Sequence, residues 1–159
     1  MRAREKRVEL LPNMESLPGG EKFQIITLWH VLEHLPDLEN QILKLIWHLE
    51  EGGTLFIAVP NFNSFDAKHY QEFWAAYDVP RHLWHFSRKS MDRLFSKHGF
   101  QVVKSKPLVF DSFYVSLLSE KYKTGKQNFY KAFSIGLRSN ISAWTTKEYS
   151  SVLYILQKD

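Results

Sequence analysis

Apolar and polar residues alternate along this chain in blocks that read in turn as strands and helices. Phe23-Gln24-Ile25-Ile26-Thr27-Leu28 is a short β-branched, apolar run with the composition of a buried strand. After Trp29 to Pro36, Asp37 is placed to N-cap a helix in which Leu38, Ile42, Leu45, Ile46 and Leu49 fall on one stripe of a 3.6-residue period. Gly52-Gly53 is expected to stop that helix with a left-handed cap. Thr54 to Val59, almost wholly apolar, then forms a second strand closed by Pro60-Asn61. A strand, helix and strand of this length, the second strand apolar on both faces, predict a right-handed parallel crossover.

The alternation recurs further on. Ser87 caps a helix carrying Met91, Leu94 and Phe95, Gly99 ends it, and Phe100-Gln101-Val102-Val103 opens another strand. Val8 to Leu11 is a short strand candidate before the loop Pro12 to Gly20, and Ser151 to Leu156 is a last strand. Between Pro107 and Tyr149, Phe110, Phe113, Tyr114, Leu117 and Leu118 recur at helical spacing, and a second helical stretch covers Phe129 to Leu137. This segment, residues 107–149, reads as a helical lid inserted before the last strand. No repeat or Pro-rich linker interrupts the chain, so residues 1–159 are expected to form a single domain.

Composition narrows the chemistry. A chain of 159 residues, 44% hydrophobic and 24% charged, can build one real core and is not disordered. It has no cysteine, which excludes disulfides, thiolate metal sites and cysteine nucleophiles. No apolar run is long enough to span a bilayer and the basic start has no signal-peptide core, so a cytoplasmic protein without a membrane partner is expected. The net charge of +4 is mild and fits basic residues scattered over a solvated surface better than a nucleic-acid groove. Aromatic residues make up 15% of the chain, more than a small core needs, which suggests a pocket for an apolar or planar ligand.

The order and spacing of four segments resemble the Rossmann-like methyltransferases that use S-adenosylmethionine, in their C-terminal portion. The segments are FQIITLWHVLEHLPD (Phe23 to Asp37), EEGGTLFIAVPN (Glu50 to Asn61), VPRHLWHF (Val79 to Phe86) and the helix-Gly-strand ending at Phe100 to Val103. Within that family the chain looks most like the small-molecule enzymes related to the ubiquinone-biosynthesis O-methyltransferases. The resemblance implies an α/β fold with an incomplete, mostly parallel sheet whose last strand is antiparallel. It also implies methyl transfer to a small-molecule acceptor, O-methylation above all.

The glycine-rich G-x-G-x-G turn of that family, and the acidic residue on its next strand, have no counterpart here. The resemblance thus implies that the first two strands are missing and that this chain alone binds the cofactor weakly or not at all. Phe23 to Leu28 would then have an unpaired edge, covered by Val8 to Leu11 or by a second copy in a homodimer. Two other readings compete with an enzyme. One is a non-enzymatic binding or interaction module; the other is a basic RNA-binding domain using Lys121, Lys123, Lys126, Lys131 and Arg138.

His30, Glu33 and His34 spell H-x-x-E-H, which places all three on one face if the segment is helical. The same string marks inverted zinc proteases, but Pro36 limits a helix here to barely two turns. The resemblance implies instead a place for a divalent ion near the acceptor, with His30 standing where the family has an acid. Without a metal the three residues line the site or hold the turn. Asn13 and Met14 match the family's adenine contacts, and Leu28, Trp29 and His30 lie at the carboxyl end of a parallel strand, where open sheets bind ligands. A hydroxyl acceptor benefits from a base with a pKa near 7, for which His30 and His82 are the candidates. Trp74, Arg81 and His82 are the candidate substrate contacts, with Arg81 alternatively pairing with Asp78 and His82 alternatively packed beside Trp84 and Phe86; His85 reads as structural.

Overall fold

A computed structural model describes residues 11–158. Its sheet contains β1 (Phe23–Trp29), β2 (Leu49–Pro60), β3 (Phe100–Pro107) and β4 (Ser151–Lys158), in the order β1-β2-β4-β3. β1 and β2 pair in parallel, and β4 lies between β2 and β3, antiparallel to both. Three strands therefore run one way, as expected, while two of the three ladders are antiparallel because the last strand enters the sheet instead of joining its edge. The expected strand Val8 to Leu11 lies outside the described residues except for Leu11, which is in no strand. Among the described residues nothing pairs with the outer edge of β1.

Between the strands run α1 (Leu38–Trp47), α2 (Phe65–Tyr70), α3 (Arg88–Ser96), α4 (Asp111–Thr124) and α5 (Phe129–Thr146). Asp37 stands at the start of α1, as its type predicts, but in a left-handed conformation (φ 49°), and its carboxylate accepts from the Asn40 side chain rather than from the first amides of the helix. Gly52 and Gly53 do not cap α1. The helix ends at Trp47, Leu49 already belongs to β2, and the glycines form a bulge where the register slips from Phe23 opposite Leu49 to Ile25 opposite Thr54. Gly53 is required there, because a Cβ would lie 2.8 Å from Leu49 Cγ and 2.9 Å from the Glu50 carbonyl oxygen. α3 begins with the predicted cap: Ser87 and Ser90 exchange side-chain-to-backbone hydrogen bonds in a reciprocal box.

The main core joins Leu55, Ile57 and Val59 of β2 to Leu156 of β4, Ile42 of α1 and Phe95 of α3. A second, smaller core holds Ala67, Tyr70 and Trp74 against Val115 of α4 and Ile135 of α5. The packed face of α4 is not the predicted aromatic stripe. Ser112, Val115, Ser116 and Ser119 are buried, whereas Phe110 and Tyr114 face outward. Among the described residues no helix is long and apolar enough to cross a membrane.

The capping box makes Ser87 a measurable contributor to stability. Ser87→Ala is expected to lower the unfolding free energy by about 1 kcal/mol, read as a lower urea midpoint at unchanged slope.

Candidate active site

β1 ends at Trp29, and His30 turns the chain away with a left-handed backbone (φ 52°) while its N–H still reaches the Ala58 carbonyl of β2 at 3.0 Å. A single 3-10 turn, Leu32–His34, follows, with Leu32 and Glu33 buried in it. Residues 81–85 dock onto this turn. Leu83 and Trp84 donate their backbone N–H groups to the Glu33 carbonyl, and the Trp84 indole donates to the Leu35 carbonyl at 2.8 Å. Two stretches some fifty residues apart are thereby locked together, and His82 arrives beside Glu33.

Glu33 is 1% exposed and neither carboxylate oxygen has a hydrogen-bond partner. An ionised carboxyl in that position is costly unless positive charge stands near it. His30 supplies it: Nδ1 is 3.4 Å from Glu33 and Nε2 is 3.1 Å from Asp111, the first residue of α4. The bond that His30 donates to Asp111, and secondarily the Glu33 carboxylate beside its other nitrogen, pushes the His30 pKa up to about 9 against the opposing effect of burial. With both ring nitrogens facing carboxylates, His30 favours the imidazolium, a form with no lone pair to take a proton or bind a metal.

His34 and His82 have the opposite character. Nδ1 of His34 donates to the Arg81 carbonyl (2.9 Å) and Nδ1 of His82 to the Ala76 carbonyl (2.8 Å). A carbonyl can only accept, so each Nδ1 carries the proton of that bond, and Nε2 is the nitrogen left to meet a proton or a metal ion. Nε2 of His82 lies 4.0 Å from Glu33 and 3.9 Å from Asp78. One donor atom each from Glu33, His34 and His82 lies within 4.8 Å of the others. The donor set that fits a divalent ion is therefore Glu33, His34 and His82, with His82 replacing the His30 of the sequence reading. An oriented imidazole pair and a desolvated carboxylate are suitable first ligands.

The other predicted residues divide. Trp74 is 2% exposed and donates its indole N–H to Asp66 at 2.7 Å, so it builds the second core and is not presented to a substrate. Asp66 is itself buried and also accepts from Ser139 and Ser150, tying α2, α5 and the start of β4 together. Arg81 is exposed and pairs with Asp78 at 2.6 Å, the alternative the sequence offered. His85 is turned to the Tyr77 carbonyl and stacks edge-on against the Tyr77 ring. Asn13, Met14 and Leu28 line one cavity of about 520 Å³, together with Ile26, Val31 and Leu35; Trp29 and His30 are not among its walls. Asn13 uses its side-chain oxygen to cap its own turn through Ser16. A larger hollow of about 920 Å³ lies at the opposite ends of the strands, by Lys22, Glu50 and Lys158, away from these groups. Asp66 and Asp111 escaped the sequence reading, because each acts on a partner far along the chain and neither belongs to a local motif.

An open sheet with an antiparallel strand between two parallel ones, and a polar cluster at a carboxyl end of β1, define a Rossmann-like α/β protein. A methyltransferase domain model matches residues 3–105, and the chain belongs to that family. The mitochondrial ubiquinone biosynthesis O-methyltransferase of Candida albicans is 34% identical over 58 residues, a stretch covering 36% of this chain and 18% of that protein. A SAM-dependent methyltransferase of Thermotoga maritima, described as a possible histamine N-methyltransferase, has the same fold with a TM-score of 0.64 at 20% identity, over 99% of this chain and 67% of that one. The mycolic acid cyclopropane synthase CmaA1, solved with SAH and CTAB, matches at 0.56 and 13% identity, over 94% and 59%. The module and RNA-binding alternatives gain no support from these comparisons.

Two outcomes follow from the charges. Because the folded pKa of His30 lies above its ordinary 6.5, its pairing contributes full stability below about pH 6.5 and loses that contribution as pH rises through about 9. A ring-proton NMR titration of metal-free protein should show this midpoint, and Asp111→Asn should bring it down. Asp66→Ala orphans three donors and is expected to cost about 3 kcal/mol or more, seen as a lower urea midpoint.

Proposed function

We propose that this chain contributes the acceptor-side half of an S-adenosylmethionine-dependent O-methylation of a small molecule. The observation that carries the reading is the cluster of buried Glu33 with His34 and His82 at the carboxyl end of β1, in a chain of the methyltransferase family. The cofactor, when bound, supplies an electrophilic methyl group on a sulfonium. The protein's task is to orient an acceptor oxygen in line with that methyl and to accept a proton.

His82 is the base in this reading. Its Nε2 would take the proton of the acceptor hydroxyl, leaving that oxygen to accept the methyl group that a bound cofactor would supply. The imidazolium that results is stabilised by Glu33 and Asp78, both about 4 Å away. His30 contributes charge balance: its ring stands 3.4 Å from Glu33, and its bond to Asp111 draws the start of α4 over the site as a lid. A divalent ion, held by Glu33, His34 and His82, would lower the pKa of a phenolic acceptor and relieve His82 of the proton. The cavity bounded by Asn13, Met14 and Leu28 is suited to the adenine end of the cofactor, being apolar and about 520 Å³.

Calorimetric titration with S-adenosylhomocysteine tests the cofactor half of the reading. Weak or undetectable binding by this chain, with binding recovered in a protein that also carries a glycine-rich turn, is the expected result. In the binding-competent protein, Met14→Trp should weaken binding about tenfold or more by filling the cavity. In a methyl-transfer assay with dihydroxybenzoates, His82→Ala should lower kcat by about 10²-fold or more without changing S-adenosylhomocysteine affinity. Full activity in His82→Ala, with and without a chelator, would refute the assignment.

A further inference from the structure

We infer that the outward face of the α4–α5 hairpin docks onto an anionic lipid surface. α5 has 18 residues and is about 27 Å long. Its buried positions, among them Ala132, Ile135, Ser139 and Ala143, occupy one side. Tyr130, Phe133, Leu137, Ile141 and Trp144 fall within about 80° of one another at 100° per residue, and all five are exposed, Tyr130 at 92% and Trp144 at 66%. Phe133 stacks on Phe113 of α4 at 5.2 Å, and this carries the stripe toward Phe110 and Tyr114, 81% and 65% exposed. A continuous apolar strip on this scale is uncommon on a surface that meets only water.

Charge selects the occupant. From residue 121 to 147 the chain has five lysines, one arginine and no acidic residue. The rest of the chain holds all 17 of its Asp and Glu residues and is net negative, so the positive charge of the protein is concentrated on this hairpin. Lys131, which also pairs with the buried Glu120 at 3.1 Å, and Arg138 border the stripe on one side of α5, and Lys121, Lys123 and Lys126 surround the turn between the helices. A second copy meeting this face symmetrically would bring two acid-free basic stretches together, which opposes self-association. RNA would use the lysines but has no use for a strip containing Leu137 and Ile141. An amphipathic helix with Trp, Phe and Leu outward and Lys and Arg at its margin is suited to the headgroup region of an anionic membrane, lying in its plane without crossing it. This inference is independent of methyl transfer and of the cluster at Glu33.

Co-sedimentation of the chain with large vesicles of phosphatidylcholine, with and without roughly a third phosphatidylglycerol, tests it. Binding to the anionic vesicles only, falling as salt is raised from about 0.1 to 0.5 M, is expected. Tyr130→Ser with Trp144→Ser, and separately Lys123→Glu with Lys126→Glu, should each weaken binding about tenfold or more while leaving the far-ultraviolet circular dichroism unchanged. If either pair fails to fold, the cysteine-free background allows Ile141→Cys to carry one environment-sensitive dye, whose emission should move to the blue on anionic vesicles only. No binding to either vesicle, binding that the substitutions leave intact, an unmoved dye, retention by polyuridylate in place of vesicles, or a dimer abolished by the apolar pair without vesicle binding would each overturn the inference.

Discussion

The site depends on a carboxylate that the fold removes from water without giving it a donor. Glu33 sits in a one-turn helix whose neighbour Leu32 is anchored in the main core, so its burial follows from the packing of the turn. The charge can persist only if cations or polar hydrogens are brought to it from outside the turn. His30 comes from the end of β1, His82 from the segment that follows α2, and Asp111 from α4 holds the His30 proton in place. Three remote parts of the chain are therefore gathered around one buried carboxyl group.

Asp66 shows what a purely structural solution to the same problem looks like. It is as deeply buried as Glu33, yet three neutral donors, Trp74, Ser139 and Ser150, satisfy its oxygens. Such a carboxylate is fully engaged and has little capacity for a ligand. Neither Glu33 oxygen has a hydrogen-bond partner, and the two imidazoles beside it are fixed through Nδ1 by backbone carbonyls. The contrast between a satisfied and an unsatisfied buried acid is the physical ground for proposing chemistry at Glu33.

The parallel unit was legible because its signals are local. The apolar run at β1, the stripe on α1 and the Ser87 cap each depend on neighbours a few residues away, and each is found where the pattern puts it. The glycine pair misled because a bulge and a helix cap ask for the same backbone freedom, and only the register between β1 and β2 separates them. His30 misled for another reason. Its spacing to Glu33 and His34 is a metal-binding pattern, but its protonation is decided by Asp111, eighty-one positions away, which no periodicity connects to it. Trp74 read as a ligand contact because exposed and buried aromatics look alike until a partner such as Asp66 is in view.

The hairpin inverts the usual logic of an amphipathic pair. α4 and α5 meet through small and polar residues: a Cβ on Gly136 would come within 2.8 Å of the Phe113 ring and 3.0 Å of its Cα, and Asn140 bridges the Val109 carbonyl and the Ser112 hydroxyl. Close backbone approach, the Asn140 side-chain bonds and the Phe113–Phe133 stack hold the pair, so exposed Tyr130, Leu137 and Trp144 are not required for that packing. A folding requirement alone would favour polar residues at Tyr130, Leu137 and Trp144, where exposed apolar area gains nothing and invites aggregation. Their presence, on a stretch that also excludes every acidic residue, is the observation from which a partner surface for the hairpin is inferred.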